Sequence, residues 1–182
     1  MLPRGSRLEP GDRIEPFHVV SIHGKPLLIP ALASAFTHLQ FRRFAGCPVC
    51  NLHLRTVAAR HDELRFAGIA EVAVFHSEVA TMLPFQGQLP FTVIADPSKA
   101  LYRRFGVESS PRAILDPRAW WSMARGMMAR FPSSPIRGEG GHIGLPADFL
   151  IDRQGILMAR KYGTHADDQW SVEEILRYSA DR

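Results

Sequence analysis

Apolar and polar side chains alternate along His38-Leu39-Gln40-Phe41-Arg42, the pattern of a β-strand, whereas Cys50, Leu54, Val57, Ala58 and Leu64 recur on one face of a helix. A strand therefore runs into a helix across Phe44-Ala45-Gly46-Cys47-Pro48-Val49-Cys50. Upstream, Phe17 to Ile22 and Leu27 to Ile29 flank His23-Gly24-Lys25-Pro26 and read as a hairpin, preceded by a polar, proline-rich lead-in over residues 1–15 that is expected to be loosely held. Downstream, Gly68 to Phe75 has the apolar, β-leaning composition of a buried parallel strand. A helix from about Ser77 to Leu83, capped by Ser77, should follow it. Phe91 to Ala95 reads as a strand ended by Asp96-Pro97, and Ser98 to Phe105 as a helix stopped by Gly106. This strand–helix rhythm implies a parallel core of βαβ units.

Residues 109–142 interrupt the rhythm. Within them, Arg118 to Phe131 is helical in length and carries Trp120, Trp121, Met123, Met127, Met128 and Phe131, a stripe that reads as packing surface, a partner-binding face or a cover. The sheet then resumes with a hairpin, Ala147 to Ile151 and Ile156 to Lys161, around Asp152-Arg153-Gln154-Gly155. The closing helix, Asp168 to Tyr178, has Trp170, Ile175 and Leu176 as candidate buried positions and Ser171 with Glu174 as a capping box.

At 182 residues and 46% apolar content the chain is long enough for one domain with a full core. No apolar run approaches membrane-spanning length. Met1 to Arg7 lacks the apolar stretch of a secretory leader, so the expected setting is the cytoplasm, with thiols normally reduced. The net charge of +4 comes from 19 arginines and 3 lysines scattered along the chain rather than clustered, which gives no nucleic-acid footprint.

Against this background the two cysteines carry the chemistry. Gly46 permits the tight turn, Cys47 falls at the helix N-cap, and Pro48 suits the first helical position, where its missing N–H would have no partner. Free amides at a helix N-terminus stabilise a thiolate, and Arg42 or Arg43 adds positive charge, so Cys47 is the expected nucleophile and Cys50 the resolving thiol. Two inert core cysteines are the plain alternative. Cys47, Cys50 and His53 have zinc-ligand spacing but no second pair to complete the shell, and Asn51 stands where haem attachment needs histidine. Neither a metal nor a cofactor is expected. His53 and His61, on the same helix, read as surface residues. Glu139 and His142 would reach the dithiol only if their glycine-rich loop folds over it.

Three motifs together resemble a known family: Cys47-Pro48-Val49-Cys50 at the strand–helix junction, Phe91 to Val107, and Leu145-Pro146-Ala147-Asp148-Phe149-Leu150-Ile151-Asp152-Arg153-Gln154-Gly155. They look like the alkyl hydroperoxide reductase/thiol-specific antioxidant family, in its peroxiredoxin-like branch with a Cys-Pro-x-Cys pair, over roughly residues 10–180. The resemblance implies a single α/β, thioredoxin-like domain: a central mixed sheet flanked by helices, with an N-terminal hairpin and a helical insertion around 109–142. It places Cys47 at the family's nucleophilic position. Pro146 matches the proline that follows a cis peptide bond beside the cysteines, the alternative being a trans proline that opens a strand.

Two departures stand out. Members typically carry Thr or Ser three residues before the peroxidatic cysteine, and here Phe44 stands there; their catalytic arginine falls at Pro146. Neither can donate a hydrogen bond to a peroxide, although Arg42, Arg43 or Arg112 could substitute in space. The leading expectation is thus a thiol–disulfide oxidoreductase. The alternatives are a two-cysteine peroxidase acting on hydroperoxides and a non-catalytic redox-sensing or partner-binding module. The partners implied are a thiol reductant, such as a thioredoxin or glutathione system, a disulfide or hydroperoxide substrate, and a second copy of the chain.

Overall fold

The computed structural model describes residues 7–107, Met128 and 144–180. The insertion expected at 109–142, with Arg112, Trp120, Glu139 and His142, lies outside them except for Met128, which is helical and exposed.

The hairpin forms as the pattern predicts: β1 (Phe17–Val20) pairs antiparallel with β2 (Pro26–Ile29), and Gly24 adopts the positive φ its turn requires. β3 (Phe36–Phe41) leads to α1 (Pro48–Ala59) and α2 (His61–Phe66). β4 (Ile69–Phe75), α3 (Val79–Gln86), β5 (Thr92–Ala95) and α4 (Ala100–Arg104) complete the parallel half. β6 (Ala147–Asp152), β7 (Leu157–Tyr162) and α5 (Val172–Ala180) follow. The five-stranded sheet has the order β5-β4-β3-β6-β7, parallel across β5, β4 and β3 and antiparallel across β3, β6 and β7. This is the mixed, thioredoxin-like sheet the sequence leads one to expect, with β3, the strand that leads into the cysteine-bearing α1, at its centre.

Strand alternation gives the sheet two different faces. Leu39, Phe41, Val72, Val74, Phe149 and Ile151 build one continuous apolar core with Tyr102 and Phe105. On the other face Ala73, Phe75 and Leu150 meet Cys50, Leu54 and Val57 of α1 and Trp170 beside α5. The capping box of α5 forms as expected: Ser171 Oγ accepts the Glu174 amide at 3.2 Å and Glu174 Oε2 accepts the Ser171 amide at 2.8 Å.

Three expectations change. The lead-in is held: Leu8 and Ile14 are buried, the Gly11 amide donates to the Leu157 carbonyl, and the Leu157 amide donates to that of Asp12. Beyond the hairpin's first strand, the Ile22 amide donates to the Val93 carbonyl, so the stretch from Gly11 to Ile22 touches both outer strands of the large sheet. Ser77 does not cap α3, whose N-cap is Glu78, because its hydroxyl is engaged by the cysteine loop. The cis peptide bond among the described residues is Ile29–Pro30, so Leu145–Pro146 is trans and Pro146 is the strand-opening proline of the alternative reading. Its carbonyl accepts the Gly163 amide at 2.8 Å, an ordinary connection into the β6–β7 hairpin.

Candidate active site

The turn between β3 and α1 is fixed from several sides. The Cys47 amide donates to the Phe44 carbonyl at 3.1 Å, and the Ala45 amide to Ser77 Oγ at 3.0 Å. From α3, Gln86 Nε2 donates to the Ala45 carbonyl and to Asn51 Oδ1, each at 2.7 Å. The Tyr102 hydroxyl closes on the carbonyls of Arg42 and, at 3.0 Å, Val74. Ser77, Gln86, Asn51 and Tyr102 carry no local motif that would announce this work.

Within the turn, Cys47 is the N-cap of α1, with extended backbone (φ −62°, ψ 114°), and Pro48 begins the helix. Its Sγ accepts the Cys50 amide at 3.4 Å, so sulfur fills the role that a serine or aspartate oxygen plays at most caps. Both thiols are free and buried, Cys47 at 1% exposure, so the expected nucleophile does not face solvent: Phe44, Ala45, Val49 and Phe75 belong to the same apolar cluster.

Burial alone would push the Cys47 thiol up. The hydrogen bond from the Cys50 thiol, the charge of Arg43 and the amides of Cys50 and Val49 outweigh it and bring Cys47 down to about 7. Cys50 is pushed well above the ordinary thiol value by burial and by its hydrogen bond and proximity to Cys47, with Arg43 only partly offsetting. One thiol is therefore ready to ionise at neutral pH while its neighbour holds its proton. Arg43, itself buried, lies with its guanidinium 5.5 Å from the centre of the Phe44 ring.

Phe44 stands three residues before Cys47, buried in the same apolar cluster, and its ring carries no hydrogen-bond donor. The register pairs Ala147 with Phe41, which sets Pro146 at the level of Arg42, beside the entry to the turn. Arg43, Phe44, Cys47, Pro48 and Cys50 thus share the turn and the first turn of α1, with Pro146, just ahead of the neighbouring β6, at the level of Arg42.

It misplaces His53. Rather than facing solvent, His53 is half-buried with Nε2 at 3.2 Å from Arg42 Nη2, and burial together with Arg42 holds its imidazole well below the ordinary histidine range. Arg42 belongs to a buried polar layer between the sheet and α1, joined by His38, Gln40, Glu71 and Asp148. Among the described residues, no group of three or more His, Cys, Asp or Glu side chains is arranged to hold a metal ion.

A model of the AhpC/TSA antioxidant enzyme family matches residues 54–165, more than half of the chain, beginning just after Cys50. The fold is similar to the peroxidoxin BcpB of Mycobacterium tuberculosis, with a TM-score of 0.68 and 14% identity over 96% of this chain and 98% of that one. It is similar also to a reduced 2-Cys peroxiredoxin of Plasmodium vivax, with a TM-score of 0.67 and 15% identity over 94% of this chain and 80% of that one. A Chlorobium tepidum structure provisionally assigned as the thiol:disulfide interchange protein DsbE gives a TM-score of 0.62 and 20% identity over 94% and 99%. The search of curated proteins returned no match.

Proposed function

Because the chain belongs to the AhpC/TSA antioxidant enzyme family, we propose that it is a thiol-dependent oxidoreductase that exchanges disulfides through Cys47 and Cys50. The carrying observation is the split in acidity across one helical turn, Cys47 lowered to about 7 and Cys50 raised. That split suits the two halves of exchange. The Cys47 thiolate attacks a substrate disulfide, forming a mixed disulfide and releasing one substrate thiolate. Cys50, once deprotonated, displaces the second, leaving the substrate as two thiols and the protein as the Cys47–Cys50 disulfide. A thiol reductant of the thioredoxin or glutathione kind would return the pair to the dithiol.

A second reading, a peroxidase, is favoured by the burial of Cys47, which suits a substrate as small as a hydroperoxide. Cys47 would attack the O–O bond, release an alcohol or water and become a sulfenic acid, which Cys50 would convert to the disulfide with loss of water. Against it stand Phe44 and Pro146, neither of which can donate a hydrogen bond to the peroxide.

Rapid-mixing measurements of oxidation by hydrogen peroxide and by oxidised glutathione at matched concentration decide between them. Faster reaction with the disulfide, lost in Cys47→Ser, supports exchange. Peroxide reaction well above that of a free thiol, with slow disulfide reaction, overturns it in favour of the peroxidase.

A further inference from the structure

Beneath α1 the sheet carries a buried ionic layer. Asp148 on β6 accepts from Arg42 Nη2 at 2.7 Å and from His38 Nε2 at 3.2 Å through Oδ1, and from the Trp170 amide at 3.2 Å through Oδ2. His38 Nδ1 donates to Glu71 Oε2 of β4 at 2.8 Å, the oxygen that also accepts Gln40 Nε2 at 2.7 Å. His38, Gln40, Arg42 and Asp148 are fully buried and Glu71 is 3% exposed. A histidine whose two ring nitrogens both face carboxylate oxygens donates from both, so it is an imidazolium. The layer then holds two cations, His38 and Arg42, and two anions, Glu71 and Asp148.

Arg42 also fixes the layer's distance from the thiols. Its guanidinium can only donate, so His53 Nε2 at 3.2 Å accepts and the imidazole is neutral. His53 follows Cys50 by three residues on α1, a spacing that sets side chains beside each other at about 5–6 Å between their Cβ atoms. The guanidinium of Arg42 therefore sits under the helix within about one turn of Cys50. Arg43, the next residue, favours the Cys47 thiolate through its positive charge.

We propose that Asp148 is a positioning residue for the dithiol: its carboxylate holds and neutralises Arg42 beneath α1, so that Arg43 alone among these neighbouring arginines acts on Cys47 and Cys50. The inference deepens the oxidoreductase reading and rests on that dithiol being the reactive group. The charged and titratable groups facing Arg42 are Asp148 from β6, His53 from α1 and, through Gln40 and His38 of β3, Glu71 from β4; Lys161 of β7 contributes to the field at His53. With the carboxylate gone, an uncompensated cation stabilises both thiolates and with them the reduced protein.

The test is Asp148→Asn in the full chain, read in two ways without any substrate turning over: the ultraviolet titration of the Cys47 thiolate, and the equilibrium in which the protein disulfide and two glutathione thiols give the protein dithiol and oxidised glutathione. A unit charge at this range should favour the dithiol by about tenfold and move the titration to lower pH, and Asp148→Glu should restore both. A folded Asp148→Asn protein with native titration and equilibrium overturns the proposal. Should that variant not fold, Arg42→Met with Asp148→Leu decides: an equilibrium within about twofold of native supports it, and a shift of about tenfold overturns it. Because both readouts belong to the dithiol itself, absence of disulfide turnover in the native protein would reject the proposed function and leave this result standing.

Discussion

The backbone N–H of Cys50 points at the sulfur of Cys47, 3.4 Å away, so the cap of α1 and the partner thiol belong to the same turn. Stabilising negative charge on Cys47 and closing a disulfide on it are consequently tasks of one short segment, Cys47-Pro48-Val49-Cys50.

Replacing each thiol should separate the two tasks. Cys47→Ser leaves only Cys50, whose thiol burial pushes upward; even a thiol near 9 is ionised at only about one part in 100 at pH 7. Disulfide exchange at that pH is expected to fall on the order of 100-fold. Cys50→Ser should keep the first attack and accumulate the mixed disulfide with glutathione, visible as added mass.

Alkylation by iodoacetamide should rise through about pH 7, following the Cys47 thiolate. Arg43 supplies part of that acidity, so Arg43→Gln should move the midpoint upward toward 9.0, the ordinary thiol value. An unchanged midpoint in the variant would remove Arg43 from the site.

Stability should depend on pH through His38. Burial opposes its charge, but Glu71 and Asp148 prevail and raise it from 6.5 to about 9. A raised base stabilises the folded state fully below the unfolded value of 6.5, and that contribution is lost as pH climbs through 9, on the order of 3 kcal/mol at the limit. On the acid side the signs reverse. His53, held low by burial and Arg42, takes its proton more readily when unfolded, and Asp148, held low by Arg42 and His38 against its burial, loses its contribution as pH falls below 3.8. Urea midpoints should therefore peak near neutrality, and His38→Gln should flatten the alkaline limb.

Ser77→Ala removes the acceptor of the buried Ala45 amide. A loss of about 1–3 kcal/mol in urea unfolding is expected. The same variant should broaden the alkylation profile of Cys47, since the loop ahead of the cap loses one of its ties.

What could be read in the chain beforehand was whatever local physics decides. Gly46, Cys47 and Pro48 spell a helix start whichever fold surrounds them, and Ser171 with Glu174 spells another. Ser77 shows the limit of such reading: a serine ahead of an apolar stretch looks like a cap, yet its hydroxyl serves Ala45, 32 residues earlier. His53 looked exposed because its partner Arg42 reaches it only once β3 and α1 stack. The ionic layer was hidden for the same reason, as Asp148 lies 106 positions from Arg42 and meets it only through the pairing of β3 with β6. Alternation along His38-Leu39-Gln40-Phe41-Arg42 did announce a two-faced strand; that its polar face would be dry and internally neutralised depended on carboxylates from two other strands.

The N-terminal segment bears on the protein's life in a crowded solution. Strands at the ends of an open sheet are templates on which another chain can build cross-β contacts and begin to aggregate. Here the backbone around Asp12 bonds to β7 on one side and that of Ile22 to β5 on the other, so a single stretch of chain acts as a clasp over both margins. Proteolytic nicking there would unmask both margins together, turning a local cut into a nucleus for fibrous or amorphous deposits.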